Sequence, residues 1–163
     1  ESDTLKVKSL VSNTKSVFHP EAYRLTQPYS PHKSADLDNV IIEADKIILP
    51  ETDNQLIIEG AGGLMVPLAD NFLMIDLIKT LDAEVILVSK HYLGSINHTL
   101  LSIAVLKQYG IPLKGIVFNG DKDEYTERAI VNYIDKEALL IHISQIDNMD
   151  KMNIQQQGNY IGL

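Results

Sequence analysis

Cysteine is absent from the 163 residues, and so is tryptophan. Without a thiol the chain can form no disulfide, no thiolate metal site and no cysteine nucleophile, which fits a reducing compartment. Aromatic residues are scarce at 6%, so a core must be built from aliphatic side chains, as parallel sheets prefer. Positive charge is also short: 14 Lys and Arg stand against 22 Asp and Glu, for a net charge of −8. No Lys/Arg run tracks a phosphate backbone, which argues against nucleic acid as a partner. No apolar run approaches the roughly 20 residues that span a bilayer, and no signal-peptide pattern is visible. These absences leave a soluble, acidic, cytoplasmic protein with no membrane partner as the expectation. With 45% hydrophobic residues, the length suits one domain with a sizeable core.

From Leu56 onward, apolar runs alternate with helical periodicity. Leu56–Glu59, Glu84–Ser89, Lys114–Asn119 and Ala138–Ile143 read as short strands rich in Ile and Val. Between them, Phe72–Leu81, Ile96–Tyr109 and Glu124–Ile134 read as helices, with Ile96, Leu100, Ile103 and Leu106 as one apolar stripe facing a core. Such repetition predicts right-handed crossovers and a parallel sheet covered by helices. Gly110-Ile111-Pro112 should end the long helix. Earlier, Asp3–Val11 predicts a helix capped by Ser2, Thr26–Pro31 an ordered loop, and the second half of Ser34–Leu49 a further helix. Gln155-Gln156-Gln157-Gly158 reads as a surface segment before an apolar Tyr160-Ile161. No repeat, linker or second domain is visible.

Chemistry concentrates at the strand ends. Glu59 closes an apolar run and is followed by Gly60-Ala61-Gly62-Gly63, where the chain can turn sharply and approach a ligand. Such a carboxylate can hold a hard cation through oxygen, or simply cap a turn. Gly94-Ser95 opens a helix directly after a strand, and the amides of a first helical turn favour an anion. Ser95 serves equally as a plain N-cap. Asn119 offers the paired donor and acceptor that an adenine edge requires, while Asn119-Gly120 is also a strong turn signal. The five histidines, His19, His32, His91, His98 and His142, show no ligand spacing and read as surface or capping residues, except His32, which sits inside the Ser30-Pro31-His32 loop. No nucleophile-elbow triad is present.

Leu56 to Leu68, containing Glu-Gly-Ala-Gly-Gly, and Leu93-Gly94-Ser95-Ile96-Asn97-His98-Thr99 together resemble dethiobiotin synthetase, a biotin-pathway family of the P-loop NTPase class. Ser2-Asp3-Thr4-Leu5 resembles that family's Asp-bearing segment. Pro28-Tyr29-Ser30-Pro31-His32 resembles its Pro-x-Ser-Pro-His loop, and Gly115-Ile116-Val117-Phe118-Asn119 its base-reading strand. The resemblance implies a P-loop NTPase-like α/β three-layer sandwich formed by residues 1–163 as a single domain. It implies ATP- and Mg²⁺-dependent closure of 7,8-diaminononanoate with carbon dioxide or bicarbonate to dethiobiotin, by a homodimer. Asp3 and Glu59 match the family's Mg²⁺ ligands. Asp3, Glu59, Gly60, Ala61, Gly62, Asn119 and Gly120 match its ATP contacts. Ser30, Gly62, Leu93, Gly94, Ser95, Ile96 and Asn97 match its substrate contacts, the Leu93–Asn97 turn holding the distal carboxylate across the dimer.

Two departures stand out. Ile141-His142-Ile143-Ser144-Gln145-Ile146 lacks the family's Gly-x-x-Pro turn against the base. No Gly-x-x-x-x-Gly-Lys-Thr phosphate loop occurs in the 163 residues, so that loop and the family's catalytic lysines are expected in about fifty further N-terminal residues. Two other readings stay open. One is a cobyrinate-type amido-ligase, which usually brings a cysteine-bearing glutaminase domain. The other is a non-catalytic remnant that binds a carboxylate.

Overall fold

The computed structural model describes residues 3–161, with side chains to residue 158. The chain divides into two compact units. One comprises Glu1–Phe18, Val85–Val105 and Leu113–Leu163, and the other His19–Glu84 and Leu106–Pro112.

The first unit holds a three-stranded parallel sheet, β3 (Val85–Lys90), β4 (Leu113–Asn119) and β5 (Leu139–Ile143), in that order. Register pairs Leu87 with Ile116 and Ser89 with Phe118, and it pairs Ile116 with Leu140 and Phe118 with His142. Alternation therefore sets Ile116 and Phe118 on one face. That face receives Ile103 of α4 (Ser95–Tyr109) and Ile130 of α5 (Glu124–Val131), and the four side chains form a buried cluster. A buried hydrogen bond of 2.8 Å between the Ser89 and Thr99 hydroxyls ties β3 to α4. Of the anticipated stripe, Ile103 and Leu106 are buried and Leu100 packs on the cluster, but Ile96 at the helix start is exposed. Gly110 ends α4 with φ of 68°, the left-handed conformation a helix C-terminus favours. Gly115 is required in β4, because a Cβ there would stand 2.8 Å from the Leu139 carbonyl oxygen.

α1 (Asp3–Leu10) buries no residue, and the expected Ser2 cap lies outside the described residues. The glutamine-rich surface segment is helical, inside α6 (Lys151–Ile161), with Gln155 and Gln156 exposed. Asp150 starts that helix by accepting from Asn153 N at 2.8 Å, and glutamine is a good helix former.

The second unit begins with α2 (Pro31–Leu37), where Pro31 supplies a preset φ at the first helical position. Asn39 follows it at φ of 55°. The helix anticipated late in Ser34–Leu49 is absent: α2 lies earlier, and only a 3₁₀ turn, Ala44–Lys46, follows. β1 (Pro67–Ala69) and β2 (Phe72–Leu73) form an antiparallel pair, and α3 (Met74–Thr80) starts directly after it. Phe72 and Leu73 are thus drawn into pairing rather than helix. The Asp76 carboxylate accepts from Leu73 N at 2.8 Å and fixes the start of α3. Leu56–Glu59 is not a strand, which corrects the sequence reading. Its Ile57 is 89% exposed. Extended backbone counts as a strand only when a neighbour takes its hydrogen bonds, and none of the described strands pairs with it.

Candidate functional site

In the sheet unit, three functional segments meet the C-terminal edge. β3 ends at Lys90, and residues 91–94 turn into α4. Gly94 has φ of 102°, a conformation open to glycine and strained for other residues. The turn is closed by a 2.9 Å bond from Ser95 N to the Tyr92 carbonyl and one of 3.1 Å from His98 N to the Gly94 carbonyl. This revises one detail of the anion reading, because the Ser95 amide is already spent inside the turn. The amides of Ile96 and Asn97 have no described partner and are the orphan donors of the helix start. Tyr92 and His98 brace the outside through a 2.6 Å bond between the hydroxyl and Nδ1. A cavity of about 860 Å³ opens over the turn, lined in part by Gly94, Ser95, Asn97, Asp123 and Thr126. Leu93 at the tip is wholly exposed.

Asn119 ends β4 with an exposed side chain, and Gly120 follows at φ of 128°. His91 N bonds the Asn119 carbonyl at 3.4 Å, and Gly120 N bonds that of Ile143 at 2.9 Å, joining all three strand ends. Asp123 caps α5, accepting from Tyr125 N at 3.1 Å, Thr126 N at 3.2 Å and the Thr126 hydroxyl at 2.7 Å. The Thr126 hydroxyl, then the Thr126 amide, hold its carboxyl below the ordinary carboxylate range.

The histidines correct the sequence reading. His91 Nε2 bonds Glu127 Oε1 at 3.2 Å, and His142 Nδ1 lies 3.1 Å from the same oxygen, an ion-pair distance without hydrogen-bond alignment. His91 also stacks on Phe118, ring centres 5.9 Å apart. Neither histidine is a free surface residue, and Glu127 was not anticipated at all. The departing stretch Ile141–Ile146 thus begins as the last three residues of β5, and His142 there meets Glu127. The available signal was register: residues one past β3 and one before the end of β5 must share an edge.

The second unit carries the glycine cluster. Gly60 packs against Met74, whose Sδ would be 3.0 Å from an added Cβ, and Gly62 at φ of 77° would bring a Cβ to 2.9 Å from Val66 Cγ2. These two glycines are held by packing and backbone conformation. Glu59, Ala61 and Gly63 are exposed, and no described hydrogen bond engages the Glu59 carboxylate. Ser30 caps α2 in position only, since its side chain makes no capping bond. Asp3, exposed at the start of α1, belongs to the sheet unit. The expected residues are therefore divided: Asp3, Leu93–Asn97, Asn119 and Gly120 in one unit, Ser30 and Glu59–Gly62 in the other.

A parallel sheet with its loops gathered at the C-terminal edge, glycine-opened helix start included, is an α/β arrangement of the kind that P-loop NTPases share. In keeping with this, the family model described as AAA domain matches residues 1–153. The ATP-dependent dethiobiotin synthetase BioD of Cytophaga hutchinsonii is 49% identical over 152 residues, covering 93% of this chain and 73% of that relative. Its counterpart in Christiangramia forsetii is 48% identical over 155 residues, 95% of this chain and 74% of the relative. That of Agrobacterium fabrum is 46% identical over 132 residues, 81% and 62% respectively. The chain belongs to the ATP-dependent dethiobiotin synthetase family.

Proposed function

We propose that the protein closes 7,8-diaminononanoate with carbon dioxide to dethiobiotin, consuming ATP in the presence of Mg²⁺. The observation that carries this reading is the start of α4. It offers unpartnered amides at Ile96 and Asn97 beside an open cavity, with no Lys or Arg among residues 91–97. Backbone donors at a helix start suit the distal carboxylate of an amphipathic substrate. The relatives' names as ATP-dependent dethiobiotin synthetases support the same reaction.

One amine takes up carbon dioxide as a carbamate, and a carbamate oxygen displaces ADP from the γ-phosphorus. The second amine then attacks the carbonyl carbon and expels phosphate, closing the cyclic urea. This chemistry depends on positioning and charge neutralisation more than on a protein nucleophile, in line with a chain that has no cysteine. The Ile96 and Asn97 amides hold the carboxylate and so place the diamine end. Asn119 presents donor and acceptor to the adenine edge, with Gly120 leaving room beside it.

Asp3 and Glu59 are each proposed as a Mg²⁺ ligand, as the family resemblance implies for each residue. Both carboxylates are exposed, hard oxygen donors, of the kind that meet Mg²⁺ singly or in pairs while water and phosphate oxygens complete its shell. When bound, it neutralises phosphate charge during transfer. The exposed Leu93, with Ile96 and Leu101 exposed nearby in sequence, supports a homodimer joined through this turn, and a single-chain mass by light scattering would oppose it. A cytoplasmic location is part of the proposal. No described helix is long and apolar enough to cross a membrane.

Titration calorimetry with 7,8-diaminononanoate and with ATP·Mg²⁺, followed by a phosphate assay, tests the function. Binding of both ligands and diamine-dependent phosphate release support it. Diamine binding with no nucleotide binding would favour the non-catalytic alternative.

A further inference from the structure

We infer that Asp38 and Thr26 form a staple that positions Ser30 for the substrate, an inference resting on the reading of Ser30 as a diamine contact. Asp38 Oδ2 accepts from Thr26 N at 2.6 Å, and Oδ1 accepts from the Thr26 hydroxyl at 2.6 Å. One carboxylate thus grips both the backbone and the side chain of the residue that opens the loop. Four residues earlier on the same helix, the buried Ser34 hydroxyl donates to the Gln27 carbonyl at 2.9 Å. Positions four apart share a helix face, so α2 holds two consecutive loop residues from one side. The loop is fixed at its other end too: Tyr29 N bonds the Gln27 carbonyl at 3.0 Å and Ser34 N the Ser30 carbonyl at 2.9 Å. Lys33 Nζ sits 3.7 Å over the Tyr29 ring.

Two features point to positioning. Asp38 is the C-cap of α2, the end where a helix dipole disfavours an anion. Retaining a carboxylate there runs against the local field and yields chiefly the two-point hold on Thr26. At the opposite end Ser30 is the N-cap, a place where serine hydroxyls ordinarily bond the helix amides, yet its hydroxyl makes no such bond. The loop conformation is supplied by Asp38, Thr26 and Ser34, and the Ser30 hydroxyl is left for another partner. A loop ordered before the ligand arrives spares the ligand that ordering.

The test is a double-mutant cycle on diamine affinity, read by titration calorimetry on the whole protein. Ser30→Ala should weaken 7,8-diaminononanoate binding about tenfold, the scale of one hydrogen bond. Asp38→Asn and, separately, Thr26→Val should each lower affinity several-fold while leaving ATP affinity unchanged. Combining Asp38→Asn with Ser30→Ala should be no worse than Ser30→Ala alone, because a positioning residue acts through the group it positions. A general structural role would give additive losses and would weaken ATP as well. If Ser30→Ala has no effect, the reading of the site fails and the staple with it. If Ser30→Ala weakens binding but Asp38→Asn and Thr26→Val do not, or if the losses add, the staple alone is overturned.

Discussion

Gly94→Ala isolates the backbone geometry of the proposed anion turn. With φ of 102° at this residue, an added methyl group would meet only His98 Cε1, at 4.0 Å, which is ordinary contact. Steric collision therefore contributes almost nothing, and the cost is conformational, about 1–3 kcal/mol for a non-glycine residue in such a region. That strain has two outlets. If the turn keeps its shape, the folded state carries the cost and Tm falls by roughly 2–4 °C per kcal/mol for a chain of this size. If the turn relaxes, Ile96 and Asn97 amides are re-aimed, and affinity for 7,8-diaminononanoate drops by up to tenfold per 1.4 kcal/mol or so. Scanning calorimetry and ligand titration on the same variant capture both. Gly63→Ala is the matched control, since its φ is not positive and a Cβ there would meet nothing within 4 Å. It should stay within about 0.5 kcal/mol of the parent. A Gly94→Ala protein indistinguishable from Gly63→Ala in both measurements would refute the argument.

Ile116→Ala empties the centre of the α4–β4–α5 cluster, where Ile116 has no exposed surface, and should cost about 2–5 kcal/mol in denaturant unfolding. A loss below about 1 kcal/mol would mean that the cluster does not organise the sheet unit. Glu59→Gln should abolish most Mg²⁺-dependent turnover without shifting Tm, because the side chain is exposed and unbonded, and unchanged turnover at limiting Mg²⁺ would dismiss Glu59 as a ligand. Asp38 and Asp123 are both held below the ordinary carboxylate range, chiefly by hydrogen bonds from the Thr26 and Thr126 hydroxyls. Each therefore binds its proton more readily unfolded than folded. Their contributions are complete above the unfolded pKa of about 4 and fade as pH falls through and below it. Asp123→Asn should flatten that acid limb in a pH series of unfolding curves, and an unchanged limb would contradict the assignment.

Strand–helix alternation after Leu81 was legible because period-two and period-3.6 patterns differ and each run is long enough to show its own. The element ends were legible too: Asn119 closes β4, while Gly94 and Gly110 bracket α4 where chain direction must change. Leu56–Glu59 misled because apolar composition signals burial potential, while a strand also needs a neighbour to take its amides. Pro31 and Asn39 set α2 at Pro31–Leu37 by local backbone preference, ahead of the helix anticipated in the second half of Ser34–Leu49. Convergence of His91 and His142 on Glu127 was invisible because residues 36 and 15 positions apart meet only through the β3–β4–β5 register and the placement of α5. The commitment of the Ser95 amide to Tyr92 depends on turn geometry that residue types alone do not specify.

The most direct test is turnover with ¹³C-bicarbonate, 7,8-diaminononanoate and ATP·Mg²⁺, read by mass spectrometry with a parallel phosphate assay. The account predicts dethiobiotin labelled at its urea carbon, one phosphate released per product, and no release when the diamine is omitted. Phosphate release that is indifferent to the diamine, or bound diamine and ATP with no labelled product, would contradict it.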